Sequence, residues 1–254
     1  MIEWLSQREV HGGKVVREDD NFFKLLLPAL PDGSYGLSQL DDYMHLPRYK
    51  FPHIAPVSLR VEAKAARRYL TGTWGFGFWN DPFSSCVSAG GMSKWLPVLP
   101  NAAWFFYGSQ PNRLSLRDDL PGSGFHMKTF RSPLLPSFLS LLAVPAVPLV
   151  LWPGAVRIFR RFAQNMVREA SSAPEIDVEE WHSFRLDWMS EKVVFSIDQI
   201  ETFTTSISPL GCLGLVIWID NQYFYLNPDG RFGFGSLPTQ EDQTLLIRNF
   251  KLDQ

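Results

Sequence analysis

The stretch Trp181–Glu201, WHSFRLDWMSEKVVFSIDQIE, contains two apolar runs on either side of a short polar turn. The first run ends at Trp188, and the second places Val193, Phe195 and Ile197 at every second position. Successive side chains of a β-strand point to opposite faces, so this period of two indicates strands with one buried face. The stretch therefore predicts a β-hairpin.

The hairpin resembles one found in the concanavalin A-like lectin/glucanase superfamily, which reads roughly W-H-x-Y-x-x-x-W, a turn, and I-x-F-x-V-D-G. Weaker matches extend the resemblance from about residue 20 to the C-terminus, where Leu245–Leu252 resembles the closing strand. The resemblance implies an all-β fold, a two-sheet antiparallel β-sandwich (jelly roll), which that superfamily uses mainly for carbohydrates.

Short apolar runs separated by Pro and Gly clusters are predicted to be the strands of this fold. They are Phe22–Leu27, Val57–Ala63, Thr73–Asn80, Ala103–Tyr107, Gly124–Phe130, His182–Trp188, Val193–Asp198, Leu213–Asp220, Tyr223–Leu226 and Leu245–Leu252. We expect residues 1–254 to form a single domain, since β-sandwiches of this length often fold as one unit.

One segment does not fit a jelly roll, and it predicts a hydrophobic, partly helical insert at about residues 132–172. The run 132–156 is uncharged but contains five prolines, which would repeatedly break a membrane-spanning helix. An amphipathic helix follows. Its apolar face comprises Ala155, Val156, Ile158, Phe159, Phe162, Ala163, Met166 and Val167, and its polar face includes Arg157, Arg160, Arg161 and Arg168.

Three roles are open for this insert. It could fold onto the sandwich and cover an open edge or one end of a groove. It could anchor the protein to a membrane surface through the arginine face. It could also span the membrane, which the prolines disfavour.

Charge and cysteine content exclude several classes of function. The formal net charge is −2, without the basic field that nucleic-acid binding requires. The two cysteines, Cys86 and Cys212, make neither a disulfide framework nor a zinc site, and we expect two buried thiols. The N-terminus has no apolar core of a signal peptide, so we expect a cytoplasmic protein, with membrane association through the insert as an alternative.

The catalytic strand of the nearest well-known enzymes of this fold, glycoside hydrolase family 16, carries Glu-x-Asp-x-x-Glu or a close variant. A retaining glycosidase needs two carboxyl groups about 5–5.5 Å apart. The corresponding segment here, Asn101–Gln110, reads NAAWFFYGSQ and contains no Asp or Glu. Aromatic residues, Trp104 to Tyr107, stand in their place. The sequence therefore predicts an aromatic groove floor without this catalytic motif.

Two further strands supply polar groups to the expected groove. In GTWGFGFWNDPF, Trp79 and Asp81 share a face with two glycines, which permit close approach of a ligand or of a bulky neighbour. Asn80 is expected near the rim. In LVIWIDNQY, Trp218, Asp220 and Gln222 share a face opposite an all-apolar one, although Asp and Asn at a strand end also serve turns.

The candidate site follows from these assignments. The candidate ligand-binding residues are Trp79, Asn80, Trp104, Phe106, Tyr107, Trp218 and Gln222. The candidate catalytic residues are Asp81, His126 and Asp220, with His126 alternatively a satisfied core or rim histidine. Asp41 and Asp42 could hold a structural Ca²⁺, which is frequent in this superfamily, or could serve a loop or a cap. No other metal and no cofactor is predicted.

Three functions remain open. The first is binding of a small, largely apolar molecule in the aromatic groove; if the protein is an enzyme, this favours a non-hydrolytic cyclase or isomerase that uses Asp81, Asp220 or His126 for proton transfer. The alternative is a carbohydrate-binding, lectin-like protein or a divergent glycoside hydrolase, in which Trp79, Trp104 and Trp218 stack on sugars. The third is a structural or membrane-surface protein.

Overall fold

The computed structural model describes residues 4–83, 96–120, 122–140, 149 and 152–254. Within these ranges it contains two antiparallel seven-stranded sheets, a separate two-stranded hairpin and a single α-helix. The first sheet, here called the cleft sheet, has the strand order β1-β4-β13-β6-β7-β8-β9. The second, the back sheet, has the order β12-β11-β10-β5-β16-β3-β2, and β14 and β15 form the hairpin. The predicted two-sheet antiparallel β-sandwich is confirmed.

The secondary-structure elements have the following bounds in chain order. They are β1 Ser6–Val10, β2 Lys14–Asp19, β3 Phe22–Leu27, β4 Leu37–Asp41, a 3₁₀ turn Arg48–Lys50, β5 Val57–Ala65, β6 Thr73–Trp79, β7 Ala102–Gly108, β8 Gly124–Arg131, α1 Pro153–Met166, β9 Arg168–Ser172, β10 His182–Trp188, β11 Val193–Ile197, β12 Ile200–Thr205, β13 Gly214–Asp220, β14 Gln222–Leu226, β15 Phe232–Ser236 and β16 Gln243–Asp253.

The hairpin predicted from Trp181–Glu201 forms as β10 and β11, with Leu186 paired to Phe195 and Trp188 paired to Val193. Along β10 every second side chain from Phe184 is buried. This alternation lets one face of the back sheet pack inward while the other meets solvent. The chain then turns through Asp198 and Gln199, both with positive φ, into the polar edge strand β12.

The core between the two sheets is rich in aromatic rings. Phe76 of β6 and Phe105 of β7 each contact Phe184 of the back sheet, at centroid distances of 5.2 and 4.9 Å. Phe78 contacts Trp188 at 5.7 Å. These side chains are essentially inaccessible to solvent. Burial of several large rings on this scale is the main stabilising contribution that the sequence offers.

The outer face of the cleft sheet carries a second apolar cluster that includes Trp104, Phe106 and Trp218. β6 lies between β13 and β7, so Gly75 is paired to Trp218 on one side and to Phe106 on the other. The register of β7 against β8 places His126 beside Phe106 and Lys128 beside Trp104. The aromatic strand β7 therefore lies next to the central strand β6 on this face.

The insert leaves and re-enters the cleft sheet at neighbouring positions, because Arg131 at the end of β8 is paired with Arg168 at the start of β9. The helical part is shorter than the prediction: α1 ends at Met166, and Arg168–Ser172 forms the edge strand β9. Pairing with β8 satisfies backbone groups that a longer helix would leave open along this edge. Parts of the insert, residues 141–148, 150 and 151, lie outside the described residues.

The apolar face of α1 is largely turned toward solvent. Val156 and Arg160 are its buried residues, whereas Ile158, Phe159 and Phe162 are 67%, 58% and 62% exposed. Polar contacts account for this orientation. The Arg160 guanidinium pairs with Asp118 at 2.8 Å and donates to the carbonyl oxygens of Leu226 and Ser115 at 3.1 and 3.3 Å.

In the described ranges, no helix has the length and apolar character needed to cross a membrane. Cys212 is a half-buried free thiol, so the expectation of full burial is wrong for this residue. Cys86 lies outside the described residues.

Candidate functional site

A small, partly open cleft lies on the outer face of the cleft sheet, with a volume of about 100 Å³. Its floor is formed by strands β4, β6, β7 and β13, and its walls by the segment before β8 and by the β14–β15 hairpin. The residues that line it are Tyr35, Leu37, Gln39, Thr73, Trp79, Phe83, Trp104, Phe106, Asn112, Leu114, Trp218, Asp220, Gln222, Tyr223, Phe224, Phe234 and Gly235.

Four aromatic rings form the floor of the cleft. Trp104 contacts Trp79, Trp218 and Phe106 at centroid distances of 5.7, 5.6 and 5.8 Å. The Trp79 and Trp218 rings are parallel within 5°, with centroids 6.3 Å apart. The buried indole nitrogen of Trp104 has no hydrogen-bond partner among the described residues. A buried donor without a partner costs free energy.

The two glycines of β6 are filled by aromatic neighbours. A Cβ added at Gly75 would lie 2.8 Å from the Trp218 ring, and one added at Gly77 would lie 2.7 Å from the Cβ atom of Trp104. Both positions also face a backbone carbonyl of β7 at 2.4 Å. These glycines therefore accommodate bulky neighbours and the backbone of β7. They do not serve the other predicted role, which is close approach of a ligand.

Asp220 is the only carboxylate among the described residues that line the cleft. Its oxygen accepts a hydrogen bond from the Thr73 hydroxyl at 2.6 Å, and the Thr73 oxygen in turn accepts one from the Trp218 indole N–H at 2.9 Å. Burial raises the pKa of Asp220 to about 6, against the opposing effect of its hydrogen bonds from Thr73 and Gln222. The carboxyl group can therefore hold or release a proton close to neutral pH.

Six of the ten predicted site residues line this cleft: Trp79, Trp104, Phe106, Trp218, Asp220 and Gln222. Their roles in binding or catalysis stay predictions. Tyr107 does not line it, because it lies on the opposite face of β7, where its ring stacks on Trp74 at 5.6 Å. This correction follows from the alternation of side chains along a strand.

Asn80 and Asp81 serve the loop that follows β6 and do not line the cleft. The Asn80 side chain accepts a hydrogen bond from the Asn101 amide at 3.0 Å and donates one to the Leu99 carbonyl at 2.9 Å. Asp81 is 1% exposed and has a positive φ of 48°, which turns it away from the alternation of the strand. Its carbonyl oxygen accepts hydrogen bonds from the Arg48 guanidinium.

His126 is also absent from the cleft. It is 2% exposed on β8, next to Lys128. Burial and then the charge of Lys128 lower its pKa to about 4, against an opposing effect from the backbone at Ser123. Such a histidine is neutral at physiological pH and lies outside the cleft, and its role stays a prediction.

Asp41 and Asp42 are both occupied by internal hydrogen bonds. Asp41 accepts from the backbone amides of Tyr43 and Met44 at 3.1 and 2.7 Å. Asp42 pairs with His53 and accepts from the Leu215 amide at 2.9 Å. In the part of the chain that the structure describes, no group of three or more His, Cys, Asp or Glu residues could hold a metal ion. A calcium site here stays a prediction.

A second, shallower groove lies on the other side of the β14–β15 hairpin, with a volume of about 510 Å³, and Tyr223 lines both sites. The rings of Tyr223 and Tyr225 are parallel within 14° and 6.0 Å apart. Each lies over a glycine of β15, Gly235 and Gly233 respectively, which leaves no side chain between the ring and the neighbouring strand. These two parallel rings, both partly exposed, are here called the tyrosine platform.

Sequence reasoning missed the polar and aromatic residues that complete the walls. Gln39 and Asn112 belong to a short strand and a loop that carry no recognisable signal, and Phe234 belongs to a glycine-rich strand. Asn112 links the two walls, because its side chain accepts from the Phe224 amide at 2.9 Å and donates to the Gln222 carbonyl at 3.3 Å. Only the tertiary structure brings these segments together.

Comparison with known proteins shows the fold. No protein-family model matches the sequence, and no curated protein matches it. A glycoside hydrolase family 16 endo-glucanase from Bacteroides ovatus is similar in structure with a TM-score of 0.50 and 9% identity, over 100% of this chain and 96% of that chain. The fold is thus a jelly roll like that of this endo-glucanase, which confirms the fold implied by the resemblance seen in the sequence.

Two further structures are also similar to this chain. A legume lectin-like domain from Entamoeba histolytica has a TM-score of 0.46 and 9% identity, over 98% of this chain and 89% of that chain. A sialidase has a TM-score of 0.47 and 9% identity, and the match covers 99% of this chain but only 17% of the sialidase.

Proposed function

We propose that this protein is a carbohydrate-binding jelly roll without glycoside hydrolase activity. The observation that carries the proposal is the position of a small aromatic cleft beside the tyrosine platform. Sugars offer apolar C–H faces to aromatic rings and hydroxyl groups to polar side chains. The cleft provides both kinds of partner, with Trp79 and Trp104 on its floor and Asp220, Gln39 and Gln222 among its polar groups.

The volume of the cleft distinguishes between the ligand classes. Pockets for drug-sized molecules usually measure roughly 300–1,000 Å³, and a polyene or terpenoid folded for cyclisation needs space of this order. About 100 Å³ is too small for such a substrate. A cleft of this volume can hold one end of a ligand while the rest of the ligand lies on the surface beside the cleft. We therefore place a terminal sugar in the cleft and the following sugars of the chain on Tyr223 and Tyr225.

The lack of a second carboxylate supports binding without hydrolysis. Retaining and inverting glycosidases typically use a pair of Asp or Glu residues across the scissile bond. Asp220 alone lines the cleft in the described part of the chain. The residues 84–95, which follow the cleft residue Phe83, contain no Asp or Glu in the sequence. The known family 16 neighbour is an endo-glucanase, and glucan oligosaccharides are therefore the first ligands to test.

The test is a glycan-array screen followed by calorimetric titration of the best oligosaccharide. Trp79→Ala and Tyr223→Ala should each weaken binding at least tenfold, equivalent to about 1.4 kcal/mol, because each removes a ring that the sugar stacks on. Both side chains are partly exposed, so the domain should stay folded. Trp218 is a poorer probe, since it is buried and bonded to Thr73.

Tyr49→Ala is the matched control, because Tyr49 is 75% exposed and lies outside both the cleft and the tyrosine platform. Its affinity should equal that of the unmodified protein. Equal affinity of all three variants would refute the site, and cleavage of the oligosaccharide during the titration would refute a purely binding role.

A second candidate, a small apolar ligand, is favoured by the aromatic majority of the cleft residues. Native mass spectrometry of the purified protein, followed by denaturing extraction, would detect it. A bound apolar molecule that Trp79→Ala releases would replace the carbohydrate proposal. Such a ligand must fit the volume of about 100 Å³, which favours one the size of a single ring over a polyene.

A further inference from the structure

Exposed apolar side chains are more frequent on the insert than on the rest of the described surface. Eight of the fifteen large apolar residues that are exposed in the described ranges belong to it, so the exposure is not scattered evenly. They are Leu134, Leu135, Phe138, Leu149, Trp152, Ile158, Phe159 and Phe162. Isolated exposed apolar residues are common, but a contiguous apolar patch marks a surface that is covered by a partner.

The patch on α1 is continuous along one helical face. Trp152 precedes the helix, and Ile158, Phe159 and Phe162 follow at spacings that place them within one side of a helix of 3.6 residues per turn. All four are more than half exposed. The helix has fourteen residues, about 21 Å at 1.5 Å per residue, which is too short to cross a bilayer but sufficient to lie on one.

The helix is fixed in this orientation by contacts on its opposite side. The Arg160 guanidinium is bound by Asp118 and by two backbone carbonyls, and the Gln164 side chain donates to the Leu116 carbonyl at 2.6 Å. Rotation of α1 to bury its apolar face would break all of these contacts. The exposure of Phe159 and Phe162 is therefore built into the fold.

The charge around this apolar face is positive. The sequence from Ser132 to Arg168 contains four arginines and no Asp or Glu. Arg157 and Arg161 are exposed on α1 and form no ion pair with a described residue. The acidic residues of the segments that pack near α1 already have cationic partners, because Asp118 pairs with Arg160, Asp119 with Arg117 and Asp229 with Arg231.

We propose that α1 docks the protein on an anionic lipid bilayer, with its apolar face in the interface and Arg157 and Arg161 at the level of the lipid headgroups. Apolar aromatic side chains bordered by arginines, without carboxylates, are the composition of helices that lie in a membrane surface. This inference is independent of the carbohydrate site. It differs from anchoring by the whole arginine face, because Arg160 points into the protein and cannot contact lipid.

The test is flotation of the full chain with vesicles of phosphatidylcholine alone and of phosphatidylcholine mixed with phosphatidylserine. The unmodified protein should float with the anionic vesicles, and its binding should weaken as salt is raised. The double variant Ile158→Ser/Phe162→Ser should bind at least tenfold more weakly to the anionic vesicles. The variant Arg157→Gln/Arg161→Gln should lose the preference for phosphatidylserine.

The control is Tyr49→Ser/Tyr69→Ser, which removes two other exposed aromatic rings, 75% and 80% accessible, and should bind vesicles normally. All substituted side chains are exposed, and unchanged thermal melting would verify that each variant is folded. Failure of the unmodified protein to float, or equal flotation of the Ile158/Phe162 variant, would overturn the proposal. Concentration-dependent self-association that the same variant abolishes, without vesicle binding, would assign the patch to a second copy of the chain instead.

Discussion

Two buried side chains on the cleft sheet, Asp220 and His126, have pKa values that are shifted in opposite senses by the same physical cause. Burial disfavours the charged form of each. It raises the pKa of Asp220 from 3.8 to about 6 and, with Lys128, lowers that of His126 from 6.5 to about 4. Both groups therefore bind protons differently in the folded and unfolded states across the same range of pH.

The effects of these two groups on stability should largely cancel between about pH 4 and 6.5. Folded Asp220 holds a proton that the unfolded chain has released, so its contribution to stability falls as the pH rises from 3.8 to 6. Folded His126 lacks a proton that the unfolded chain has bound, so its contribution falls as the pH drops from 6.5 to 4. Each pKa shift corresponds to a change of about 3 kcal/mol in the free energy of unfolding.

Single substitutions should separate the two contributions in thermal melts from pH 4 to 8. Asp220→Asn should raise the melting temperature at pH 7 and leave a steeper loss of stability on acidification, because only His126 then titrates. His126→Gln should show the reverse, a gain of stability on acidification. Parallel pH profiles of both variants and the unmodified protein would show that neither group is buried in the way described.

At the scale of single residues, alternation along strands predicted the faces of the cleft sheet well. Trp79, Trp104 and Trp218 lie on the outer face, as a period of two requires. The alternation failed at Asp81, where a positive φ ends the strand. It also could not reveal that His126 is covered, because the sequence does not show which segments pack over a strand.

Among the elements, β8 and β9 are joined by a buried ion pair. The Lys128 Nζ atom lies 3.2 Å from a Glu169 carboxylate oxygen, and both side chains are nearly inaccessible. Glu169 also accepts a hydrogen bond from the Arg117 amide, and Lys128 donates one to the Ser115 hydroxyl. Burial lowers the pKa of Lys128 to about 8, against the opposing influence of Glu169. The pair thus connects the edge strand to the cleft wall.

Removal of one partner should destabilise the domain far more than removal of both. Lys128→Met leaves the Glu169 charge buried without a counter-charge and should cost about 3–5 kcal/mol, whereas Lys128→Met/Glu169→Leu should recover most of this loss. Chemical denaturation of the two variants measures the difference. A double variant as unstable as the single one would mean that packing around Lys128, and not its charge, holds β9 in place.

Strands with strong apolar alternation were predictable, whereas polar edge strands were not. β3 and β10 have the predicted bounds, and the other predicted strands differ by one or a few residues at their ends. β12 and β9, with the sequences IETFTT and REASS, have little apolar character because an edge strand buries little surface. The helix of the insert was predicted, but its orientation was not, since amphipathicity does not specify what covers the apolar face.

On the scale of the whole molecule, Arg160 connects the insert to both walls of the cleft. Its guanidinium reaches Ser115 in the segment before β8 and Leu226 at the end of β14. We expect Arg160→Met to increase amide hydrogen exchange in residues 112–118 and 222–226, because these segments lose their shared partner. The back-sheet hairpin Trp181–Glu201 serves as the internal control. Exchange that changes only within α1 would show that the walls do not depend on the insert.

The global architecture was accessible from the sequence because the Trp181–Glu201 hairpin and the closing strand resemble those of a jelly-roll superfamily, whereas the alternating pattern alone indicates only strands. The ligand class was not accessible in the same way. The expected apolar substrate rested on the aromatic floor, and the volume of about 100 Å³ argues for a smaller group. Volume depends on how Tyr223, Phe224 and Asn112 close the walls, and these contacts join segments that are distant in sequence.

Because Arg131 is paired with Arg168, the insert connects the adjacent antiparallel strands β8 and β9 in the same way as the loop of a hairpin. The entropy lost on closing such a connection grows only slowly with its length. What lies between the two arginines can therefore vary in size and composition while the strand register stays unchanged. We therefore expect that transplanting the segment between these two positions into another jelly roll would transfer the proposed membrane docking without the proposed carbohydrate binding.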